Sequence, residues 1–356
     1  MKDDSVAETI KTLGIVGAGT MGAGIAINAI SKGVTVRLTD TNADMLDTAA
    51  TRAEKTLSRW VEKERISPKD KDSALARLET ATLEQAAASD IVIEAIFEDL
   101  TVKQDLMRRL EPHLLPHTVV ATNTSALRVA DIADAIGDPS RVIGLHYFSP
   151  ADINPVCELI VTPNTTDRTK KIAQIFLDQT DRITLICGDT PGFIVNRFFI
   201  PIYVEAVRMV HEGIASAGQI DAISKDLFAA GAGILTVVNV IGTRTSAKAA
   251  ENLAQLGARF APDEYLLSLG KTNAPLPIEE DANTASALVR QVVEDRLLGA
   301  LFMPVLELTD ADLTTFEQID TGAQHALKYA NLPSSLLSSV GENHARALVK
   351  ARAIGT

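Results

Sequence analysis

Cysteine and tryptophan are scarce in this chain of 356 residues, which holds two cysteines and one tryptophan. The cysteines, Cys157 and Cys187, both stand inside apolar stretches typical of buried strands. Free thiols in a reducing compartment explain such cysteines better than a disulfide does. We therefore expect a cytoplasmic protein. No grouping of residues predicts a metal site, so no metal is expected.

Long apolar runs and an excess of positive charge are also missing. No apolar run approaches the roughly 20 residues that a membrane-spanning helix needs, and residues 1–12 are polar, without the apolar core of a signal peptide. The formal net charge is −12, which argues against a nucleic-acid or anionic-membrane surface. With 46% hydrophobic and 22% charged residues, the chain is ordinary for a globular protein of two or three domains.

A glycine-rich motif near the start predicts a dinucleotide site. Residues 13–16 are a short apolar stretch typical of a strand, followed by Gly17, Gly19 and Gly22 and then by a helical pattern. Gly17 permits the tight turn, Gly19 lets the backbone approach a pyrophosphate, and Gly22 lets the helix pack close to the strand. A second strand ends at Asp40, whose carboxylate would bind ribose hydroxyls and repel a 2′-phosphate. NAD is therefore favoured over NADP, and FAD is the alternative ligand.

Strand-like and helix-like segments continue to alternate through the first half of the chain. The strand-like ones after Asp40 are residues 90–95, 119–122, 141–145, 157–161 and 183–187. This alternation predicts a Rossmann-type, doubly wound and mostly parallel sheet. Ligands of such sheets bind beyond the carboxyl ends of the strands. Four polar residues follow these strands and should gather at one edge of the sheet: Glu98, Asn123, Ser125 and His146.

A histidine and a glutamate form the candidate proton-transfer pair. His146 closes one buried strand, and Glu158 lies twelve residues later in the next strand. A histidine at this place can act as a base near neutral pH, and a neighbouring carboxylate can fix its tautomer. The pair therefore suits the proton half of a hydride-transfer reaction, although a buried histidine with a structural partner is the alternative.

The second half of the chain predicts an all-α region that contains a duplicated helical module. The stretch from Phe199 through the sequence Gln-Ile-Asp at 219–221 parallels the stretch from Phe302 through Gln-Ile-Asp at 318–320. The second copy is shorter by about one helical turn, and duplication explains the likeness better than coincidence. We expect a nucleotide-binding domain over 1–188, a first helical module over 189–280 and a second over 281–356.

A helical hairpin over residues 43–77 carries many basic side chains. Most of them alternate with acidic residues, which is typical of a solvated face. The alternative is a local basic patch for a phosphorylated part of the substrate.

Several segments together resemble the 3-hydroxyacyl-CoA dehydrogenase family, and the resemblance runs over most of the chain. The segments are GAGTMGAGIA (17–26), EAIFEDLTVK (94–103), TNTSAL (122–127), HYFSPAD (146–152), DTPGFIVNR (189–197) and the repeated helical module. With Ser149, the motif HYFSPAD is similar to the form found in the dehydrogenase part of multifunctional β-oxidation proteins. The second module would then stand where a partner subunit's module stands in shorter, dimeric relatives, so a homodimer and a single chain are both open.

The resemblance implies the oxidation of a (3S)-3-hydroxyacyl-CoA to the 3-ketoacyl-CoA, or the reverse, with NAD as the cofactor. His146 would be the general base, Glu158 would orient it, and Ser125 and Asn196 would hold the reacting oxygen. Thr56, Lys63 and Ser125 would contact the CoA substrate. The residues implied at the cofactor are Gly17, Gly19, Thr20, Met21, Gly22, Asp40, Glu98, Lys103, Asn123 and Ser125.

Departures from the family pattern concern the acyl group. Residues 232–236 read Ala-Gly-Ile-Leu-Thr where relatives have Met-Gly-Pro-Phe, and Asn154 stands where multifunctional relatives have Met. A branched, polar or cyclic acyl group is therefore expected. Two alternatives are a dehydrogenase of free 3-hydroxy acids, of the L-gulonate or L-carnitine type, and a non-catalytic NAD-binding protein.

Overall fold

A computed structural model describes residues 9–279 and 285–354 of the chain. The chain divides into two compact units, Met1–Asp189 and Thr190–Thr356. The predicted boundary between residues 280 and 281 lies outside the described residues, as do the first eight residues of the polar N-terminal segment. The division into two helical modules thus stays a prediction.

The first unit is built on an eight-stranded sheet with the order β3-β2-β1-β4-β5-β6-β7-β8. Neighbouring strands are parallel except for one antiparallel pair, β6 and β7. This arrangement confirms the predicted doubly wound, mostly parallel sheet. The strands are β1 (Thr12–Val16), β2 (Thr35–Thr39), β3 (Leu78–Thr80), β4 (Ile91–Glu94), β5 (Val119–Thr122), β6 (Val142–Tyr147), β7 (Val156–Val161) and β8 (Ile183–Gly188).

Helices connect the strands of this unit, except for β6 and β7, which a loop joins. The central strands β4 and β5 are buried along their whole length, which explains why they read as continuous apolar runs rather than as alternating ones. The helices are α1 (Thr20–Ser31), α2 (Ala43–Glu62), α3 (Pro68–Leu75), α4 (Leu83–Ala87), α5 (Leu100–Leu110), α6 (Val129–Ala133) and α7 (Asp167–Gln179).

The antiparallel pair places the two candidate proton-transfer residues opposite each other. In its register Leu145 faces Leu159 and His146 faces Glu158. Directly opposed residues of an antiparallel pair project to the same side of the sheet. The twelve-residue separation in sequence therefore becomes a direct contact.

The second unit is helical in the part of the chain that the structure describes. Its helices are α8 (Val195–His211), α9 (Ala217–Leu227), α10 (Ile234–Ile241), α11 (Thr243–Leu253), α12 (Glu264–Thr272), α13 (Ala287–Asp310), α14 (Phe316–His325), α15 (Pro333–Val340) and α16 (Glu342–Ile354).

Two helix series in this unit share several local features. Helices α8 and α13 each contain an internal proline, Pro201 and Pro304. Helices α10 and α15 each end at a glycine with positive φ, namely Gly242 and Gly341. In each series an aspartate after Gln-Ile accepts a backbone N–H from the next helix, that of Thr236 for Asp221 and that of Ser334 for Asp320. The same pattern of turns and caps thus occurs twice.

The two cysteines are buried and carry free thiols, as predicted. Within the described ranges, no helix combines the length and the apolar character that crossing a lipid bilayer requires.

Candidate active site

Glycine is required at two positions around the β1–α1 turn, because at each of them the backbone passes close to a carbonyl oxygen. Gly17 has φ +106°, and a Cβ there would lie 2.5 Å from the carbonyl oxygen of Ala95. A Cβ on Gly22 would lie 1.8 Å from the carbonyl oxygen of Gly17. Gly19 differs, because a Cβ there would meet no atom within 4 Å. Its surroundings are open, as a close-approaching pyrophosphate requires.

Asp40 follows β2 and holds this turn from the other side. Its Oδ2 accepts the N–H of Ala18 at 2.7 Å, and its Oδ1 accepts the N–H of Asn42 at 2.9 Å. Each carboxylate oxygen has a second lone pair. The carboxylate can therefore bind ribose hydroxyls while it stays bonded to the backbone.

A cavity of about 530 Å³ opens between these groups. Of the predicted cofactor residues, Gly17, Gly19 and Asp40 line it. The open backbone at Gly19, together with the carboxylate of Asp40, fits the pyrophosphate and ribose of a dinucleotide. Sequence reasoning missed further lining residues: Leu83, Ile96, Phe97 and Arg109. For Phe97, which is 79% exposed, an apolar residue among the acidic side chains after β4 was the available signal.

Other predicted cofactor residues do not line this cavity. Thr20 and Met21 form the first turn of α1. Asn123 is buried, and its Oδ1 accepts the N–H of Tyr147 at 2.9 Å. Lys103 is fully buried. Their roles at the cofactor stay predictions.

His146 and Glu158 form a buried hydrogen-bonded pair. The distance from His146 Nδ1 to Glu158 Oε2 is 2.6 Å, and the two residues are 4% and 0% exposed. The ring of Phe148 lies against the imidazole with a centroid distance of 4.6 Å. A carboxylate at Nδ1 leaves Nε2 as the ring nitrogen that can exchange a proton with a substrate.

A buried arginine holds the loop between β6 and β7 in place. Arg182 donates to the carbonyl oxygen of Ala151 at 2.9 Å and also to that of Asn154. The Oδ1 of Asn154 accepts the N–H of Val156 at 3.2 Å. Asn154 is only 5% exposed, so its side chain belongs to the framework of the loop.

Ser125 lies just beyond the carboxyl end of β5 and is exposed. Its backbone N–H donates to Glu98 Oε1 at 2.9 Å, and Thr124 Oγ1 donates to the same oxygen at 2.6 Å. Burial raises the pKa of Glu98, but the ammonium of Lys103 and these hydrogen bonds outweigh it, so that the pKa of the Glu98 carboxyl lies below its ordinary value. Glu98 is thus an ionised anchor for the loop that carries Ser125.

Asn196 lies in the first turn of α8, in the second unit, and is partly buried. Of the four predicted catalytic residues, the structure brings His146 and Glu158 into contact and places Ser125 at the same edge of the sheet. The part that Asn196 plays stays a prediction.

A cationic groove of about 510 Å³ runs along α2. Thr56 lines it, whereas Lys63, the C-terminal cap of α2, does not. Three basic residues line the groove, Arg52, Lys55 and Arg59, which recur every three or four residues and so share one helix face. They outnumber the two acidic lining residues, Asp47 and Asp152. Lys71 instead pairs with Glu54 at 2.7 Å. The hairpin thus contains both a basic patch and a solvated, paired face.

Arg52 was missed by sequence reasoning. Its guanidinium donates to Asp152 Oδ1 at 2.8 Å and to the carbonyl oxygen of Thr20 at 2.8 Å. It therefore ties the groove to the first turn of α1 and to the β6–β7 loop.

Comparison with known proteins agrees with this geometry. The family model "3-hydroxyacyl-CoA dehydrogenase, NAD binding domain" matches residues 12–190, and the model of the C-terminal domain of the same family matches residues 192–274. The mitochondrial hydroxyacyl-coenzyme A dehydrogenase of Rattus norvegicus is 37% identical over 223 residues, which are 61% of this chain and 71% of the rat protein.

Two longer matches extend the comparison. The fatty acid oxidation complex subunit alpha of Shewanella sp. strain MR-7 is 32% identical over 317 residues, covering 85% of this chain and 44% of that protein. The crystal structure of 3-hydroxybutyryl-CoA dehydrogenase from Escherichia coli K12 superposes with a TM-score of 0.84 over 96% of this chain and 94% of its own, at 22% identity. At this identity the superposition shows the fold alone.

The predicted family, enzyme class and cofactor are thus confirmed. With a dinucleotide turn, an adjacent His–Glu pair and both family domains matched, the chain belongs to the 3-hydroxyacyl-CoA dehydrogenase family of NAD-dependent oxidoreductases.

Proposed function

We propose that the chain oxidises a (3S)-3-hydroxyacyl-CoA to the 3-ketoacyl-CoA, or performs the reverse reduction, with His146 as the general base. The observation that carries this proposal is the buried contact of 2.6 Å between His146 Nδ1 and Glu158 Oε2. Glu158 accepts a hydrogen bond from Nδ1–H, which fixes the tautomer of the ring. Nε2 of His146 then takes the proton of the substrate 3-hydroxyl.

The carboxylate of Glu158 also stabilises the imidazolium that forms. Because both side chains are buried, their mutual attraction is screened little by water. Bound NAD supplies the hydride acceptor for C3 of the substrate. Removing the hydroxyl proton offsets the positive character that develops at C3, while Ser125 and Asn196 hold the reacting oxygen.

The cationic groove supports CoA as the handle of the substrate. Phosphates bind where guanidinium and ammonium groups share one face, as Arg52, Lys55 and Arg59 do. The hydroxyl of Thr56 adds a hydrogen-bonding group. This groove favours a CoA thioester over a free 3-hydroxy acid, which offers no phosphate.

An unusual acyl group is the finer part of the proposal. The segment that departs from the family pattern forms one wall of a cavity of about 320 Å³ within the second unit. Phe199 and Phe228 line this cavity together with Leu327 and Tyr329, and the rings of Phe228 and Tyr329 stack at a centroid distance of 4.6 Å. A cavity lined by aromatic rings supports a branched or cyclic acyl group rather than a straight chain. Asn154, being buried, would act on the substrate only through the shape of its loop.

The duplicated module completes the proposal. Helices α8 and α13 pack along each other, and Arg296 of α13 pairs with the buried Glu205 of α8 at 2.6 Å. The repeated caps and this internal interface support a second module that takes the place of a partner subunit's module.

A substrate screen with NADH formation as the readout tests the function. Straight, branched and cyclic 3-hydroxyacyl-CoAs are compared with the corresponding free 3-hydroxy acids. We expect the highest kcat/KM for a branched or cyclic CoA thioester. Best activity on straight chains would contradict the acyl proposal, and activity on free acids alone would contradict the CoA proposal.

The variant His146→Gln tests the assigned base. Loss of general base catalysis lowers kcat by about 10² to 10⁴, while the Kd for NADH should stay unchanged. His117→Gln is the matched control, because His117 is half exposed and bonds only weakly to Asp90 at 3.3 Å. Wild-type turnover in His146→Gln would show that another group is the base.

A further inference from the structure

A buried lysine joins two carboxylates beneath the candidate active site. Lys103 projects from α5 with a side chain only 1% exposed. Its Nζ lies 2.6 Å from Glu94 Oε1 and 3.2 Å from Glu98 Oε2. We call these three residues the carboxylate–lysine network.

Glu94, the last residue of β4, is held at both oxygens. Its Oε1 accepts the N–H of Ile96 at 2.8 Å, and its Oε2 accepts the hydroxyl of Thr122 at 2.6 Å. A buried ion pair is weak evidence for stability, because removing two charges from water costs several kcal/mol for each ion. A specific geometric task is therefore the better reason for such a pair.

The other end of the network grips the loop after β5. Glu98 Oε1 accepts the hydroxyl of Thr124 and the N–H groups of Ser125 and Ala126, at 2.6, 2.9 and 3.1 Å. Thr124 Oγ1 in turn accepts the N–H of Leu127 at 2.9 Å. The loop is thus tied to a single carboxylate oxygen.

We propose that Glu94 and Lys103 are positioning residues, which fix Glu98 and thereby set the place of the Ser125 hydroxyl. The inference rests on the proposed role of Ser125 in holding the reacting oxygen. It gives Lys103, whose side chain is enclosed by protein, a positioning role beside its predicted place at the cofactor. Because misplacement of a substrate-binding group by about 1 Å can cost about 10²-fold in rate, the network should act on kcat.

Three buried threonines around β5 offer a matched test. Thr122 donates to Glu94, Thr124 donates to Glu98, and Thr118 donates to the carbonyl oxygen of Ser89 at 2.7 Å, outside the network. All three are fully buried. Each Thr→Val substitution removes one buried hydroxyl, so the three variants carry comparable structural costs.

We expect Thr124→Val to lower kcat by roughly 10-fold and Thr122→Val by roughly 3-fold, both well within the cost of misplacement. Thr118→Val should keep the wild-type kcat, and Thr124→Ser, which keeps the hydroxyl, should restore it. The Kd for NADH, followed by its fluorescence, should change less than twofold in all four. Equal kcat values for the three valine variants would overturn the proposal, as would a loss of NADH affinity that matches the loss of kcat.

Ser125→Ala separates this inference from the proposed function. If the network acts through Ser125, then Thr124→Val combined with Ser125→Ala should be no slower than Ser125→Ala alone. Multiplying losses would mean that the network acts on something else. A wild-type kcat in Ser125→Ala itself would instead contradict the proposed role of the serine.

Discussion

Asp40 illustrates how one side chain can serve both the fold and the choice of ligand. Its two oxygens already accept N–H groups from Ala18 and Asn42, so the carboxylate stands at a fixed place, where it would face the ribose of a bound dinucleotide. A phosphate at the ribose 2′ position would meet that charge directly. Discrimination against NADP should therefore depend on this residue.

We predict that Asp40→Ser lowers the preference for NAD over NADP, measured as the ratio of the two kcat/KM values, by about 10-fold, which corresponds to about 1.4 kcal/mol. The reason is the loss of both the ribose hydrogen bonds and the charge repulsion. Asp44→Asn, in the first turn of α2, is the control and should leave the ratio unchanged. An unchanged ratio in Asp40→Ser would assign the discrimination to another group.

Glu98 gives a prediction about pH and stability. Its pKa in the folded chain is below its ordinary value, because Lys103 and the loop hydrogen bonds outweigh the burial that raises it. A lowered carboxyl pKa stabilises the fold above the ordinary carboxyl value of about 4.3, and this stabilisation disappears as the pH falls through the lowered pKa.

Wild type should therefore be more stable than Glu98→Gln at pH 7, and the gap in unfolding free energy should shrink once the pH drops below about 4.3. Urea titrations from pH 7 to pH 3 measure this gap. Glu62→Gln, on the exposed end of α2, serves as the reference. A gap that does not change with pH would mean that the carboxylate of Glu98 is not stabilised by its charge.

At the scale of the element, the β1–α1 turn separates the demands of folding from those of binding. The Cβ of an alanine at position 22 would overlap the carbonyl oxygen of Gly17, whereas one at position 19 meets open space. Gly19 also has an ordinary φ of −66°, so alanine fits its backbone.

We predict that Gly22→Ala lowers both the melting temperature and the affinity for NADH. Gly19→Ala should lower the affinity alone, because its methyl group would stand where the pyrophosphate must approach. Calorimetry and NADH fluorescence separate the two effects. Equal melting temperatures for the two variants would contradict the close packing of α1 on β1.

The elements also show what the sequence could and could not predict. The apolar runs located seven of the eight strands, since buried parallel strands leave a clear signal. The three-residue β3, Leu-Glu-Thr, has two exposed residues and offers no such signal. The spacing of His146 and Glu158 indicated neighbouring strands, but the antiparallel direction of β7 came only from the structure.

The cationic groove was predicted least well. Charges on a helix read alike in sequence whether they face solvent or a groove, because their partners are distant in the chain. Arg52 meets Asp152, a hundred residues away, and nothing local announces that contact. The resemblance pointed to Thr56, which lines the groove, and to Lys63, which caps the same helix and does not line it.

At the scale of the whole molecule, the repeated helical series bears on assembly. The interface between α8 and α13 is internal to the chain and contains the buried Glu205 with its arginine partner. Under the proposed replacement of a partner subunit's module, no second copy of the chain is needed to cover this interface.

We therefore predict a monomer in sedimentation velocity at micromolar concentration. Arg296→Met should lower the stability of the chain by about 2 kcal/mol, because the buried carboxylate of Glu205 loses one charge-assisted hydrogen bond while Arg208 still pairs with it. The sedimentation coefficient should stay unchanged. Arg346→Met is the control, since Arg346 pairs at the surface with Asp310, where ion pairs contribute little. A concentration-dependent dimer would contradict the replacement of a partner's module.

The hairpin of β6 and β7 has a consequence for how this enzyme can change over evolution. The register of the two strands keeps His146 opposite Glu158, and Arg182 holds the loop between them through backbone carbonyl oxygens. Side chains on the rim of that loop can therefore change without moving the pair. That loop supplies Pro150 and Asp152 to the rim of the cationic groove. Substitutions there can change what the enzyme recognises while the contact between His146 and Glu158 is inherited intact.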